Sequence, residues 1–166
     1  MKLVPVKSLV YPVVALREGV VFPHTDPFLT FGRPKGVAAI DAAMKTNRMV
    51  VFVAQKKAVV NPGVDDLYTT GTLCSIEQIM PTSGELIALV KGVSRVKINQ
   101  FVSTAPYFLA SVEELPDSLV TSDKTVALAK QVSSELKKAF DLGKPVEFPV
   151  FMRLMSGVGA NELVYQ

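Results

Sequence analysis

Apolar and polar positions along the chain change period twice, and each change marks a change of element. Val10 to Leu16 and Pro27 to Phe31 are short apolar runs separated by Gly19 and by the turn formers Pro23-His24-Thr25-Asp26, so both are expected to be strands. From Pro34 to about Asn47 the apolar positions Val37, Ile40 and Met44 fall three and four apart, which predicts a short amphipathic helix. Pro34 suits its first turn, where a missing N–H costs nothing. Met49 to Gln55 is β-branched and aromatic throughout, as a strand buried on both faces would be. Tyr68 to Met80 reads as a long strand bulged or bent at Gly71, and Pro81-Thr82-Ser83-Gly84 as the hairpin turn into Glu85 to Val90. Gly92 predicts a second sharp turn before Arg95 to Phe101, and Tyr107 to Leu115 closes the β part. Short strands joined by tight hairpins favour a small closed or semi-closed barrel over an open sheet.

The pattern becomes helical after Pro116-Asp117-Ser118, which predicts a boundary between a β domain over 1–116 and a helical subdomain over 117–166. Ser122 or Asp123 caps a helix reaching about Leu142, with Val126, Ala129, Val132, Leu136 and Phe140 on one face, and Gly143 and Pro145 end it. A second helical segment is expected over Phe148 to Met155, its stripe of Phe148, Phe151, Met152 and Met155 packing on the first helix. Asn161 reads as the N-cap of a further helix whose first turn, Glu162 to Tyr165, meets the end of the sequence. A single turn does not stand alone. The expectation is therefore a longer protein cut inside a helix.

Composition narrows the class. A chain of 166 residues, 49% of them hydrophobic and 20% charged, is long enough to bury a core. Its longest clean apolar run, Met49 to Ala54, is too short to cross a bilayer. Lys2 and Lys7 ahead of Leu9 to Leu16 imitate a secretory leader, but Pro5 and Pro12 interrupt it and Arg17-Glu18 occupies the place of small cleavage-site residues. A cytoplasmic protein is expected, in keeping with a single cysteine. The net charge of +3 is spread without long basic runs, so nucleic acid is not expected as a partner.

No catalytic set emerges from the residues. There is no phosphate-cradling glycine loop and no run of metal-ligand spacings, since the chain has one His and one Cys. Cys74 falls in an apolar strand and reads as an inert buried thiol, and His24 reads as a surface turn residue. Lys91 and Ser94 are close in sequence but flank Gly92 with no oxyanion donors in view, and Asp65-Asp66 is more simply a solvated turn than a cation site. A binding module is expected, with no catalytic residue, cofactor or metal.

Several segments, in order, resemble the N-terminal domain of bacterial Lon ATP-dependent proteases. Pro12-Val13-Val14-Ala15-Leu16-Arg17-Glu18-Gly19-Val20-Val21-Phe22-Pro23 is similar to the family's opening P-x-L-P-L-R-x-x-V-[VL]-F-P, with Val14-Ala15 where the family usually has Leu-Pro. Phe31-Gly32-Arg33, Val53-Ala54-Gln55-Lys56, Asp66-Leu67-Tyr68-Thr69-Thr70-Gly71-Thr72, Val90-Lys91-Gly92-Val93-Ser94-Arg95 and Pro106-Tyr107-Phe108-Leu109-Ala110 continue the series. The resemblance implies an α+β fold, a PUA-like and mainly antiparallel β barrel with one inserted helix, followed by helices. In the full enzymes an AAA+ ATPase domain and a Ser/Lys protease domain follow, so ATP and Mg are expected only in that missing ATPase domain.

The expected role is recognition of unfolded, misfolded or tagged proteins and assembly of a hexamer with other Lon subunits; a standalone Lon-type domain or a PUA-like RNA-binding module are the alternatives. Recognition without strict sequence needs exposed, adaptable apolar side chains. The candidate substrate contacts are Phe22 and Pro23 after the first strand, Phe31 with Arg33 and Lys35 at the helix entry, and Met80 at the hairpin.

Overall fold

The structure, a computed structural model, describes residues 9–117, 122–145, 148–157 and 159–165. The basic lead-in at Lys2 and Lys7, Ser118 of the expected boundary and Val158 lie outside the described residues. The chain forms two compact units, Met1–Pro116 and Asp117–Gln166.

In the first unit the elements run β1 (Leu9–Leu16), β2 (Phe28–Phe31), α1 (Pro34–Met44), β3 (Met49–Ala54), a 3₁₀ turn (Val64–Asp66), β4 (Thr70–Pro81), β5 (Leu86–Ser103) and β6 (Phe108–Leu115). The sheet order is β2-β5-β4-β3-β1-β6, and β5 also pairs with β6, so five strands close into a ring and β2 adds to the free margin of β5. Every pairing is antiparallel except β1 with β3. A parallel pair needs a crossover, and the β2–α1 segment supplies it.

Successive strand residues point to opposite faces, and both faces are covered here. Val13, Val51, Val53, Leu73, Val96 and Ile98 belong to one core, while Val14, Val50, Phe52, Cys74, Ile76 and Val90 belong to a second, completed by Ala39, Ile40 and Ala43 of α1. This is why Val50 to Val53 are all buried, as the uninterrupted apolar run of β3 implies.

Two glycine readings are corrected. Gly92 makes no turn: β5 runs unbroken for 18 residues, and Gly92 is not among the positive-φ glycines. A Cβ there would lie 2.0 Å from the Phe22 carbonyl oxygen, so the residue is glycine because another stretch of backbone lies against it. Gly71 is the same case, with its missing Cβ 2.5 Å from the Phe52 carbonyl oxygen. The bulges of β4 and β5 fall instead between Leu73 and Cys74 and between Ile76 and Gln78.

The second unit contains α2 (Asp123–Asp141), α3 (Phe148–Met155) and α4 (Ala160–Leu163). Ser122 is the N-cap of α2, its hydroxyl accepting from Thr125 N at 3.1 Å. At the other end Gly143 adopts φ 72° while its N–H donates to Phe140 O and that of Lys144 to Ala139 O, the paired bonds of a Schellman stop. The apolar face of α2 is only half covered: Ala129, Leu136 and Phe140 are half-buried, whereas Val126 and Val132 are exposed. The stripe on α3 divides likewise. Phe151 stacks on Phe140 with ring centroids 3.9 Å apart, but Phe148, Met152 and Met155 remain exposed. Asn161 is not the cap of α4; Gly159 is, which leaves Asn161 inside the helix.

Candidate functional site

The segment between β1 and β2 is held by main-chain contacts. Gly92 O accepts from His24 N and Gly92 N donates to Thr25 O, both at 2.9 Å, and Val90 N donates to Pro27 O at 3.1 Å, so residues 24–27 extend the edge of β5 beyond β2. The buried Thr72 hydroxyl donates to Val21 O at 2.6 Å, and Thr25 Oγ1 to Phe22 O at 2.7 Å. With this clasp of residues 20–27 fixed by those bonds, alternation sends Val21 and Pro23 inward and Val20 and Phe22 outward. Val21 is 3% exposed, while Val20 is 58% and Phe22 48% exposed.

Next to this segment, Val20, Tyr68 and Gly71 line a cavity of about 250 Å³ whose floor includes Phe52. Tyr68 is itself exposed. A cavity of about 420 Å³ lies between β1 and the start of α1, lined by Val13, Ala15, Arg33, Lys35, Pro62 and Phe108 among others. Lys35 Nζ sits 4.6 Å above the Phe108 ring, and Arg33 Nη1 reaches Val60 O at 3.4 Å across the mouth. A third cavity of about 290 Å³ shares Val14, Ala15, Arg33 and Gly36 with it and extends to Phe28 on β2.

The six sequence candidates therefore separate. Phe22 is displayed, Met80 is exposed near the β4–β5 hairpin, and Arg33 and Lys35 meet at one cavity. Pro23 and Phe31 are corrected to core residues: Pro23 is pulled inward with the clasp, and Phe31 stacks on Phe52 at 5.8 Å beneath α1. Sequence reasoning passed over Val20, Phe28 and Tyr68, which are all exposed. Alternation with the inward Val21 signals Val20; Phe28 and Tyr68 carry no such local sign, because their exposure depends on which neighbours reach them.

The remaining polar groups have structural settings. Cys74 is buried, its thiol donating toward Thr72 O at 3.7 Å, and burial pushes its pKa up to about 12. Burial, with Glu114 adding repulsion, raises the Tyr11 phenol. His24 occupies an exposed turn at φ 62°. Lys91 and Ser94 stand on continuous β5 and not in a turn, and the Ser94 hydroxyl donates to Glu114 Oε1 at 3.3 Å. Asp66 caps the 3₁₀ turn by accepting from Gly63 N at 2.8 Å. No group of three or more His, Cys, Asp or Glu side chains with metal-holding geometry occurs among the described residues.

Comparison with known proteins gives this arrangement a context. The model of the ATP-dependent protease La (LON) substrate-binding domain matches residues 10–163. Similar proteins include Lon protease 3 of Sorangium cellulosum, 31% identical over 93% of the chain, and the Lon protease of Escherichia coli K12, 33% identical over 87%. The chain covers 19% of the length of each of these two relatives. The N-terminal domain of a Mycobacterium avium complex Lon protease has the same fold, with a TM-score of 0.68 at 18% identity over 95% of this chain and 79% of that one. A Lon N-terminal domain protein from Xanthomonas campestris gives 0.59 at 16% identity over 77% and 73%. The match over 10–163, reached through both units, places the chain in the family of Lon substrate-binding domains.

Proposed function

We infer that the chain is the part of a Lon-type protease that engages unfolded, misfolded or tagged proteins, working in the cytoplasm as one copy within a hexamer. On this reading the parent is an ATP-dependent serine endopeptidase. Its ATPase and Ser/Lys protease domains would carry ATP, Mg and the chemistry, and this chain would do no catalysis. No helix among the described residues is long and apolar enough to cross a membrane, which is compatible with that location.

The observation that carries the reading is the display of Val20, Phe22 and Tyr68 on a clasped, bulged barrel in a chain of this family. Apolar side chains held outward by main-chain bonds offer contact area without first having to be ordered. Each contact is weak, as a protein that handles many sequences requires, and six copies around a ring would raise the effective affinity for one long unfolded chain.

The test is titration of the 166-residue chain with a reduced, alkylated and permanently unfolded protein, and with the same protein in its native form. Preferential binding of the unfolded form, little affected by salt, is expected. Equal binding of both forms would refute the reading, and salt-sensitive binding of single-stranded RNA in its place would favour a nucleic-acid module.

A further inference from the structure

Strand β1 has one edge that the barrel leaves unused. Pairing with β6 ends at Val13 opposite Phe108, whereas on the other edge pairing with β3 continues to Leu16 opposite Ala54. Gln55 N donates to Leu16 O at 3.0 Å, so the main-chain groups of Leu16 face the β3 side. Alternation then turns those of Ala15 to the opposite side, the one β6 has left. Among the described residues no strand pairs with β1 there beyond Val13.

That edge borders the start of α1. It lines the two adjoining cavities of about 420 and 290 Å³, which share Val14 and Ala15. Within β1 past Val13, Ala15 is the residue whose N–H and C=O face that side, and one residue of an extended polypeptide supplies the complement. The charge points the same way. Arg33 and Lys35 are the charged residues lining the larger cavity, and among the described residues neither is paired with a carboxylate. At the far end of the smaller cavity Arg17 and Glu18 offset one another.

We propose that a short extended segment of a bound polypeptide adds to β1 at Ala15 as an extra strand, with a carboxylate of that segment held by Arg33 and Lys35. The carboxylate comes from a free C terminus or from an acidic side chain. The proposal rests on the substrate-binding reading above and is specific to this chain, whose Ala15 supplies a main-chain N–H where the family usually has proline.

Fluorescence anisotropy of the 166-residue chain with labelled apolar peptides of about six residues tests it. One peptide has a free C-terminal carboxylate, a second an amidated C terminus and an internal glutamate, and a third is amidated with no acid. A fourth is the first peptide N-methylated at alternate residues. The acid-free and N-methylated peptides are expected to bind about tenfold more weakly than the better of the first two, in line with loss of a charge-assisted or a main-chain hydrogen bond. The ranking of the first two identifies the source of the carboxylate. Ala15→Pro removes the outward N–H at an edge position where proline is tolerated, and should abolish peptide binding while leaving thermal unfolding intact. Should that variant fail to fold, Arg33→Glu with Lys35→Glu, both in the first exposed turn around α1, should cancel the preference for acid. N-methylated and unmethylated peptides binding alike, or an unchanged ranking in the charge-reversed chain, would overturn the proposal. If the unfolded protein still binds in that event, strand addition is wrong and the substrate-binding reading stands. If the peptides behave as expected but the unfolded protein does not bind, the broader reading is the one that fails.

Discussion

Replacing Gly92 with alanine tests the contact on which the display of Val20 and Phe22 depends. The added Cβ would fall 2.0 Å from Phe22 O, 2.9 Å from Phe22 C and 3.1 Å from Pro23 Cα. All three are backbone atoms, so no side-chain rotation relieves the overlap and residues 22–25 must move away from β5. The move stretches the two 2.9 Å bonds joining Gly92 to His24 and Thr25, and strains the Thr72 bond to Val21 O. Two main-chain bonds at about 1 kcal/mol each, with about 1–3 kcal/mol for overpacking, give a loss of about 3–5 kcal/mol. In a chain of this size that lowers the unfolding temperature of the barrel by roughly 6–20 °C. The assay is urea and thermal unfolding followed by circular dichroism, with hydrogen exchange at the His24 and Gly92 amides. Gly36→Ala is the control, because its Cβ would meet Val14 and Phe31 only at 3.8 and 3.9 Å. It should leave stability unchanged or raise it by up to about 1 kcal/mol through helix propensity. If Gly92→Ala unfolds with the wild type and keeps the His24 amide protected, the close-approach argument is refuted.

Three further outcomes follow from named contacts. Val20→Ser combined with Phe22→Ser should leave the barrel folded yet weaken binding of an unfolded protein about tenfold, as removal of two exposed anchors implies; an unchanged titration counts against the apolar surface. Cys74 should resist iodoacetamide at pH 8 until urea unfolds the barrel, because burial holds its pKa near 12 against 9.0 unperturbed. Since the folded chain holds that proton more tightly, the associated stability is complete below pH 9.0 and is lost as pH rises toward about 12. Cys74→Ala should show a flatter pH dependence across that window, and identical slopes would contradict the assignment. Ser122→Ala removes the 3.1 Å cap of α2 and should cost the helical unit about 1 kcal/mol, recovered by Ser122→Asn; the check is helical ellipticity during urea titration.

The elements that declared themselves in the sequence did so through local period. Pro34 to Met44, the run Met49 to Ala54, the Ser122-capped helix and Phe148 to Met155 each bury or display faces set by their own spacing. What local period did not reveal was contact between segments far apart. Glycine serves a chain either by adopting positive φ or by leaving room for a neighbour, and the sequence around Gly92 is the same in both cases. The neighbour is Phe22, seventy residues earlier. Pro23 and Phe31 looked displayable for the same reason: each stands in or beside a turn, but the Thr72 hydroxyl and the Phe52 ring draw the surrounding chain onto the sheet. Arg33 and Lys35 could be named as cations at a helix entry, yet the cavity they share depends on residues 61–63 and on where β6 begins, neither of which has a local signature.

On the function proposed above, the chain must expose apolar surface to unfolded polypeptides without offering it to copies of itself, and the distribution of exposure in the barrel suits both demands. Closing five strands into a ring removes most free edges. Val93 and Val102, both exposed on β5, sit where its pairing skips a residue, so bulges twist that surface and flat edge-to-edge stacking is hindered. The β1 residues beyond Val13 line the cavities beside α1, where the proposed segment would lie. The exposed apolar side chains of the clasp, Val20 and Phe22, are few and sit on a segment held by main-chain bonds. On the function proposed above, selectivity for unfolded polypeptide would follow from access, since a chain with its main chain and apolar residues already free can reach both the β1 edge and the displayed side chains.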